Sequence, residues 1–259
     1  MKSLIKILSK TSLGIFLRNL LNYKPVHMNI DGLKFISVSD AFAWRTDNNF
    51  KTIFKYSDIL NIFYKIKKSW IEFHFYDKNN NLLKIEKKEN LNLSNEMEIT
   101  GEFFKRGLGL KDYGVFYVYH LSKEEIDNES IILNRCYLGY SQNKNLPSFV
   151  HGNTLARFTN ISGNNKIYSN IVKTSLFPNH FYKIQKYFNN LDKNELFFSN
   201  PTSKTIKFSI DDKKFQLKNG CSLIVDISEK KIITIKSNCL FLRPTVFSYK
   251  DEFLDVHHS

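Results

Sequence analysis

The chain has 259 residues, enough to bury a substantial core as one large or two smaller domains. Its 42% hydrophobic and 15% aromatic content exclude a disordered chain, and 38 basic against 25 acidic residues give a net charge of +13. No stretch past residue 26 approaches the roughly 18 uncharged apolar residues of a membrane-spanning helix.

Residues 1–22, MKSLIKILSKTSLGIFLRNLLN, read as a basic amphipathic helix. Leu4, Ile5, Leu8, Ile15, Phe16 and Leu20 share a broad face, and Lys2, Lys6, Lys10 and Arg18 mark the rest. Lys10 interrupts the apolar run and no small-x-small site follows, which argues against a signal peptide. Two readings stay open. The helix lies on an anionic bilayer with its lysines at the headgroups, or it packs on the body or on another subunit.

From residue 27 to 120 the apolar pattern is strand-like. Ile71, Phe73 and Phe75 alternate with Trp70, Glu72, His74 and Tyr76, and the Asp77–Asn81 turn leads into Leu82–Ile85 as a hairpin. Val115–His120 is a second strand. Between Ser57 and Lys67 the apolar spacing fits a short helix behind a Ser57 or Asp58 cap, with a buried strand as the alternative. Residues 121–175 read as a connector that carries the candidate site, and residues 176–259 as a second β-rich unit.

In that last part, Glu195–Asn200 and Ile206–Ile210 suggest a hairpin across Pro201, and Pro244 breaks the apolar run Leu240–Tyr249. The pattern IEFHFYDKNNNLL is echoed by IKFSIDDKKFQL, in each case a strand, an Asp-led turn and a strand. The expected fold class is therefore mainly β: an antiparallel β-sandwich, read as two sandwich-like units, with an N-terminal amphipathic helix (residues 1–26). One continuous two-sheet domain is the alternative.

Chemistry-bearing side chains concentrate in Asn134–Asn153, NRCYLGYSQNKNLPSFVHGN. Arg135, Tyr137, Tyr140, Ser148, His151 and Asn153 are the candidate ligand-binding residues, completed by Arg243, His257 and His258 from the C-terminal end. Tyrosine faces suit sugar rings, and arginine grips carboxylate or phosphate bidentately. Trp44, Phe149, Arg45 and Arg157 are further candidates of the same types. Ser148 and His151 lack a G-x-S-x-G elbow, so no triad is spelled out.

An enzyme is the competing reading. His120, His151, His257 and His258 each close an apolar segment and could meet at one mouth as metal ligands or supply a general base, although no H-x-H or H-E-x-x-H spacing is present. A scaffold protein is the third class. No motif requires a cofactor. The expected partners are a small anionic or glycan-like ligand and, through residues 1–22, an anionic membrane surface. Scattered lysines without a basic block argue against nucleic acid. Three cysteines without C-x-x-C spacing fit a reducing cytoplasm, so the expected location is cytoplasmic, peripheral on the inner face of the membrane.

Overall fold

The computed structural model describes residues 8, 11–20, 35–89, 91–104, 109–124, 130–134, 136–143, 145–152, 154–161, 167–175, 180–185, 193–227, 232–239 and 242–258. The chain is mainly β, with antiparallel sheets in sandwich-like packing and a short N-terminal helix. The first body contains β1 (Phe35–Asp40), β2 (Phe42–Arg45), β3 (Phe50–Tyr56), β4 (Ser69–Asp77), β5 (Leu82–Lys88), β6 (Asn95–Ile99), β7 (Tyr113–Ser122), β8 (Ser130–Asn134), β9 (Tyr137–Gln142), β10 (Ser148–His151), β11 (Leu155–Asn160) and β12 (Ser169–Asn170). They form three sheets of order β12-β11-β1-β8, β10-β9-β3-β6 and β2-β7-β4-β5. The pair β1–β8 is parallel. Residues 121–175 thus contribute β8 to β12 to these sheets and do not merely bridge two bodies.

The second body contains β13 (His180–Gln185), β14 (Lys193–Ser199), β15 (Ile206–Ile210), β16 (Lys213–Leu217), β17 (Ser222–Ile227), β18 (Ile232–Ser237), β19 (Thr245–Lys250) and β20 (Phe253–His258). Its sheets run β17-β14-β19-β20 and β13-β18-β15-β16. Both Asp-led hairpins form, as β4–β5 and β15–β16. At the first, Asp77 Oδ1 accepts from the Asn79 and Asn81 N–H groups while Asn80 takes a positive φ of 67°. The hairpin expected across Pro201 does not form. β14 pairs with β17 and β19, whereas β15 belongs to the other sheet. Asn200 Nδ2 donates to the Lys204 and Leu217 carbonyls and its Oδ1 accepts from Thr202, so side-chain bonds carry the backbone from one sheet to the next.

The central strands β14 and β19 of the β17-β14-β19-β20 sheet carry buried residues on both faces. Phe197, Phe247 and Val256 enter the first core with Phe50, Phe54 and Phe116, while Leu196, Phe198 and Val246 enter the second with Phe208, Ile233 and Ile235. Neighbouring residues on one strand therefore serve different cores, which gives the short apolar runs Leu196–Phe198 and Val246–Phe247. At the seam, Arg45 of β2 is fully buried. Its Nη1 meets Glu195 Oε2 at 2.5 Å, its Nε and Nη2 bond both Asp47 oxygens, and its guanidinium lies 4.2 Å from the Phe50 ring centroid. Tyr249 Oη donates to the same Glu195 oxygen at 2.6 Å. Burial alone would lower the Arg45 pKa, but Asp47, Tyr249 and Glu195 together raise it. Arg45, a candidate ligand grip in the sequence, is instead a structural cation. Trp44 is also buried, with Nε1 donating to the Tyr76 carbonyl.

In the first body, β1 diverges from β7 and serine side chains fill the gap. Ser39 Oγ accepts from the Val118 N–H and Ser37 Oγ from the His120 N–H. The short helix Ile59–Tyr64 forms as read, with Asp58 Oδ1 accepting from the Asn61 N–H. The helix Ser12–Leu20 begins at Thr11, whose Oγ1 accepts from the Gly14 N–H. Leu13, Ile15, Phe16 and Leu17 on that helix are exposed. No helix among the described residues is long and apolar enough to cross a membrane.

Removing one partner of a buried ion pair leaves an uncompensated charge. Arg45→Met is expected to lower unfolding free energy by about 3–5 kcal/mol in urea titration. A loss below about 1 kcal/mol, the scale of an exposed pair, would show that the seam does not depend on it.

Candidate functional site

The predicted segment folds as the β9–β10 hairpin, with Tyr137 opposite His151 and Tyr140 opposite Ser148. Arg135 and Asn153 lie outside the described residues. Strand alternation splits the two tyrosines. Tyr137 faces out, 53% exposed, its ring centroid 4.4 Å from that of His151. Tyr140 faces the core, fully buried, donating to the Ala43 carbonyl at 3.0 Å with its ring edge-on to Phe247. Tyr140 is thus a packing residue and offers no face to a ligand. Phe149 lies across Gly139, where a Cβ would come within 2.6 Å of its ring, so the glycine makes the space that ring occupies.

Ser148 joins the two bodies. Its Oγ accepts from the Val256 N–H at 2.9 Å, which sets β20 beside β10. At the far end of this seam the C-terminal histidines arrive next to His151. His258 is partly buried, and neither ring nitrogen has a well-aligned hydrogen-bond partner among the described residues. The His151 backbone favours the protonated ring. Burial first, then the nearby Arg243, His151 and His257, push the His258 pKa down to about 4. His257 Nδ1 is 3.3 Å from Asp255 Oδ2.

Arg243 lines a groove at the end of the second core, and its charge is felt at His258. Its guanidinium lies 5.6 Å from the Tyr182 ring centroid, and both line a cavity of about 250 Å³ with His180, Ser237 and Leu242. Burial lowers the His180 pKa. The structure therefore brings the Tyr137–His151 pair and the C-terminal histidines together, and separately sets Arg243 beside His180 and Tyr182 in the groove. The sequence signal for these last two is the alternation of His180, Tyr182 and Ile184 at the start of β13.

His120 stands apart. It is fully buried in β7, with Nε2 2.9 Å from the Ser57 carbonyl, and burial lowers its pKa. It is a structural histidine and corrects the expectation that four histidines share one mouth. Among the described residues no group of three His, Cys, Asp or Glu side chains is placed to hold a metal ion. Burial pushes the Cys136 and Cys239 thiols up to about 12, which leaves them protonated and poorly nucleophilic. The cluster and the neighbouring groove offer imidazoles, tyrosine faces and a guanidinium. That set suits recognition of an anion better than proton abstraction, since a base with a pKa near 4 is weak.

A second polar cluster lies on the face of β4 and β7 that meets β11 and β12. Glu72 accepts from Trp70 Nε1 and Tyr168 Oη and lies 3.3 Å from His74 Nε2. Arg157 lies 4.3 Å from the Tyr117 ring centroid and donates from Nε to Asn170 Oδ1. The alternation of Trp70, Glu72, His74 and Tyr76 announced it. These polar groups bond one another between two sheets, so the cluster holds β11 and β12 against β4 and β7. No protein-family model matches the chain, and no curated protein or solved structure is significantly similar to it.

The depressed His258 pKa sets a direction for stability. A histidine that titrates near 4 when folded and near 6.5 when unfolded lets the unfolded chain bind the proton first, so stability falls as pH drops from 6.5 toward 4. His258→Gln is expected to reduce the loss of urea midpoint between neutral pH and the middle of that window. An undiminished loss would place the titration elsewhere.

Proposed function

We propose that the protein binds a small anionic ligand, of the size and character of an acidic or phosphorylated monosaccharide, at the Arg243 groove. The observation that carries this reading is the position of Arg243. It lines the groove with His180 and Tyr182, its guanidinium 5.6 Å from the Tyr182 ring centroid. A guanidinium beside aromatic faces matches a carboxylate or phosphate attached to a partly apolar ring. The groove, at about 250 Å³, is smaller than the roughly 300–1,000 Å³ of common cofactor pockets, which favours a compact ligand. The His180 imidazole lines the same groove, and the exposed Tyr137 and His151 rings offer further surface on the β9–β10 hairpin.

Calorimetric titration with glucuronate, glucose 6-phosphate and glucose tests this. The charged sugars are expected to bind at least about tenfold more tightly than glucose, and Arg243→Ala to remove about 1.5–3 kcal/mol of that affinity, the range for a hydrogen bond to a charged group. Equal binding of glucose, or unchanged affinity in Arg243→Ala, would overturn the assignment.

A further inference from the structure

We propose that the outer face of the β13-β18-β15-β16 sheet, with the neighbouring helix Ser12–Leu20, docks on an anionic lipid bilayer. The first-body strands and this outer sheet differ in how their lysines are paired. In the first, Lys51 pairs with Glu98, Lys55 with Glu96, Lys78 with Asp112, and Lys84 and Lys88 share Glu86. On the outer sheet, Lys183, Lys207, Lys214 and Lys236 are exposed, and none has a carboxylate partner among the described residues. Register places them on one side. Ser209 lies opposite both Lys214 and Lys236, and Lys236 lies opposite Phe181, while Phe208, Ile233 and Ile235 point into the core. A shallow hollow of about 450 Å³ opens between Lys207, Lys214 and Lys236.

Apolar groups accompany this charge. Phe181 is 65% exposed, its ring centroid 5.4 Å from Lys236 Nζ. Lys207 also borders a second hollow, whose other walls include Lys204 and Leu20, the last residue of the helix. The helix therefore ends against the lysine face, with Leu13 67% and Phe16 59% exposed. Lysines beside an exposed apolar helix match a bilayer, where apolar side chains enter the headgroup boundary and ammonium groups meet anionic lipid. Single-stranded nucleic acid calls for a row of aromatic platforms along a basic groove, and on this sheet face Phe181 is the exposed aromatic ring among the described residues. This inference is independent of the ligand assignment. It uses another face of the second body and none of the groove residues except Phe181.

Flotation of the full chain with vesicles tests it. Binding is expected to phosphatidylcholine vesicles that contain phosphatidylglycerol, with much weaker binding to phosphatidylcholine alone. Salt near 1 M, where the Debye length is about 3 Å, should weaken it. Each lysine near a charged membrane contributes about a fivefold factor, so K207Q/K214Q/K236Q should lower partitioning on the order of a hundredfold. L13S/F16S should lower it separately. These side chains are exposed, so the thermal midpoint of both variants should match the parent and confirm that the fold is intact. Failure of the parent to float with anionic vesicles would overturn the proposal, as would unchanged partitioning of the triple lysine variant or binding to an oligonucleotide with none to vesicles.

Discussion

A guanidinium taken out of water is tolerable only where several partners meet it at once, and Arg45 has them from three places in the chain. Asp47 comes from the same strand end, Glu195 from β14 and Tyr249 from β19, with Phe50 beneath the planar group. The desolvation cost of the charge is offset only when both bodies are in register, so the contact acts as a geometric condition on their docking. Everything that depends on the position of β19 inherits it. β20 pairs along β19, and β20 brings His257 and His258 to the β9–β10 hairpin.

Local pattern carried the fold a long way. Period-two alternation located β4, β7 and β15, and the Asp-led turns identified both hairpins because the left-handed residues Asn80 and Asp211 tolerate positive φ. Alternation specifies which face a residue occupies, but it says nothing about which strand lies alongside. That is why β14 and β15 looked like a hairpin although they belong to separate sheets. The runs Leu196–Phe198 and Val246–Phe247 are equally mute, since strands buried on both faces lose the polar half of the alternation.

The candidate site was legible as a set of ingredients. Histidines at strand ends pointed to His151, His257 and His258, which the β10–β20 seam sets near one another. Tyr140 and His120 share the same sequence character and are buried, because the inward or outward sense of a strand is decided by its partner sheets. Arg45 was read as a ligand grip because no local feature announces an acid 150 residues away.

That separation bears on the order of assembly. A contact spanning 150 residues closes a long loop, and such contacts form late because the entropy of closure precedes their reward. On a ribosome, β2 and β3 emerge well before β14, so Arg45 first has only Asp47 for company while Phe50 and Tyr140 lack their contacts with Phe247. The first body therefore waits with an open, sticky flank, and the arrival of β14 and β19 both neutralises the buried cation and covers that flank. The seam that positions the C-terminal histidines also marks the interval in which the growing chain is most exposed to misassociation.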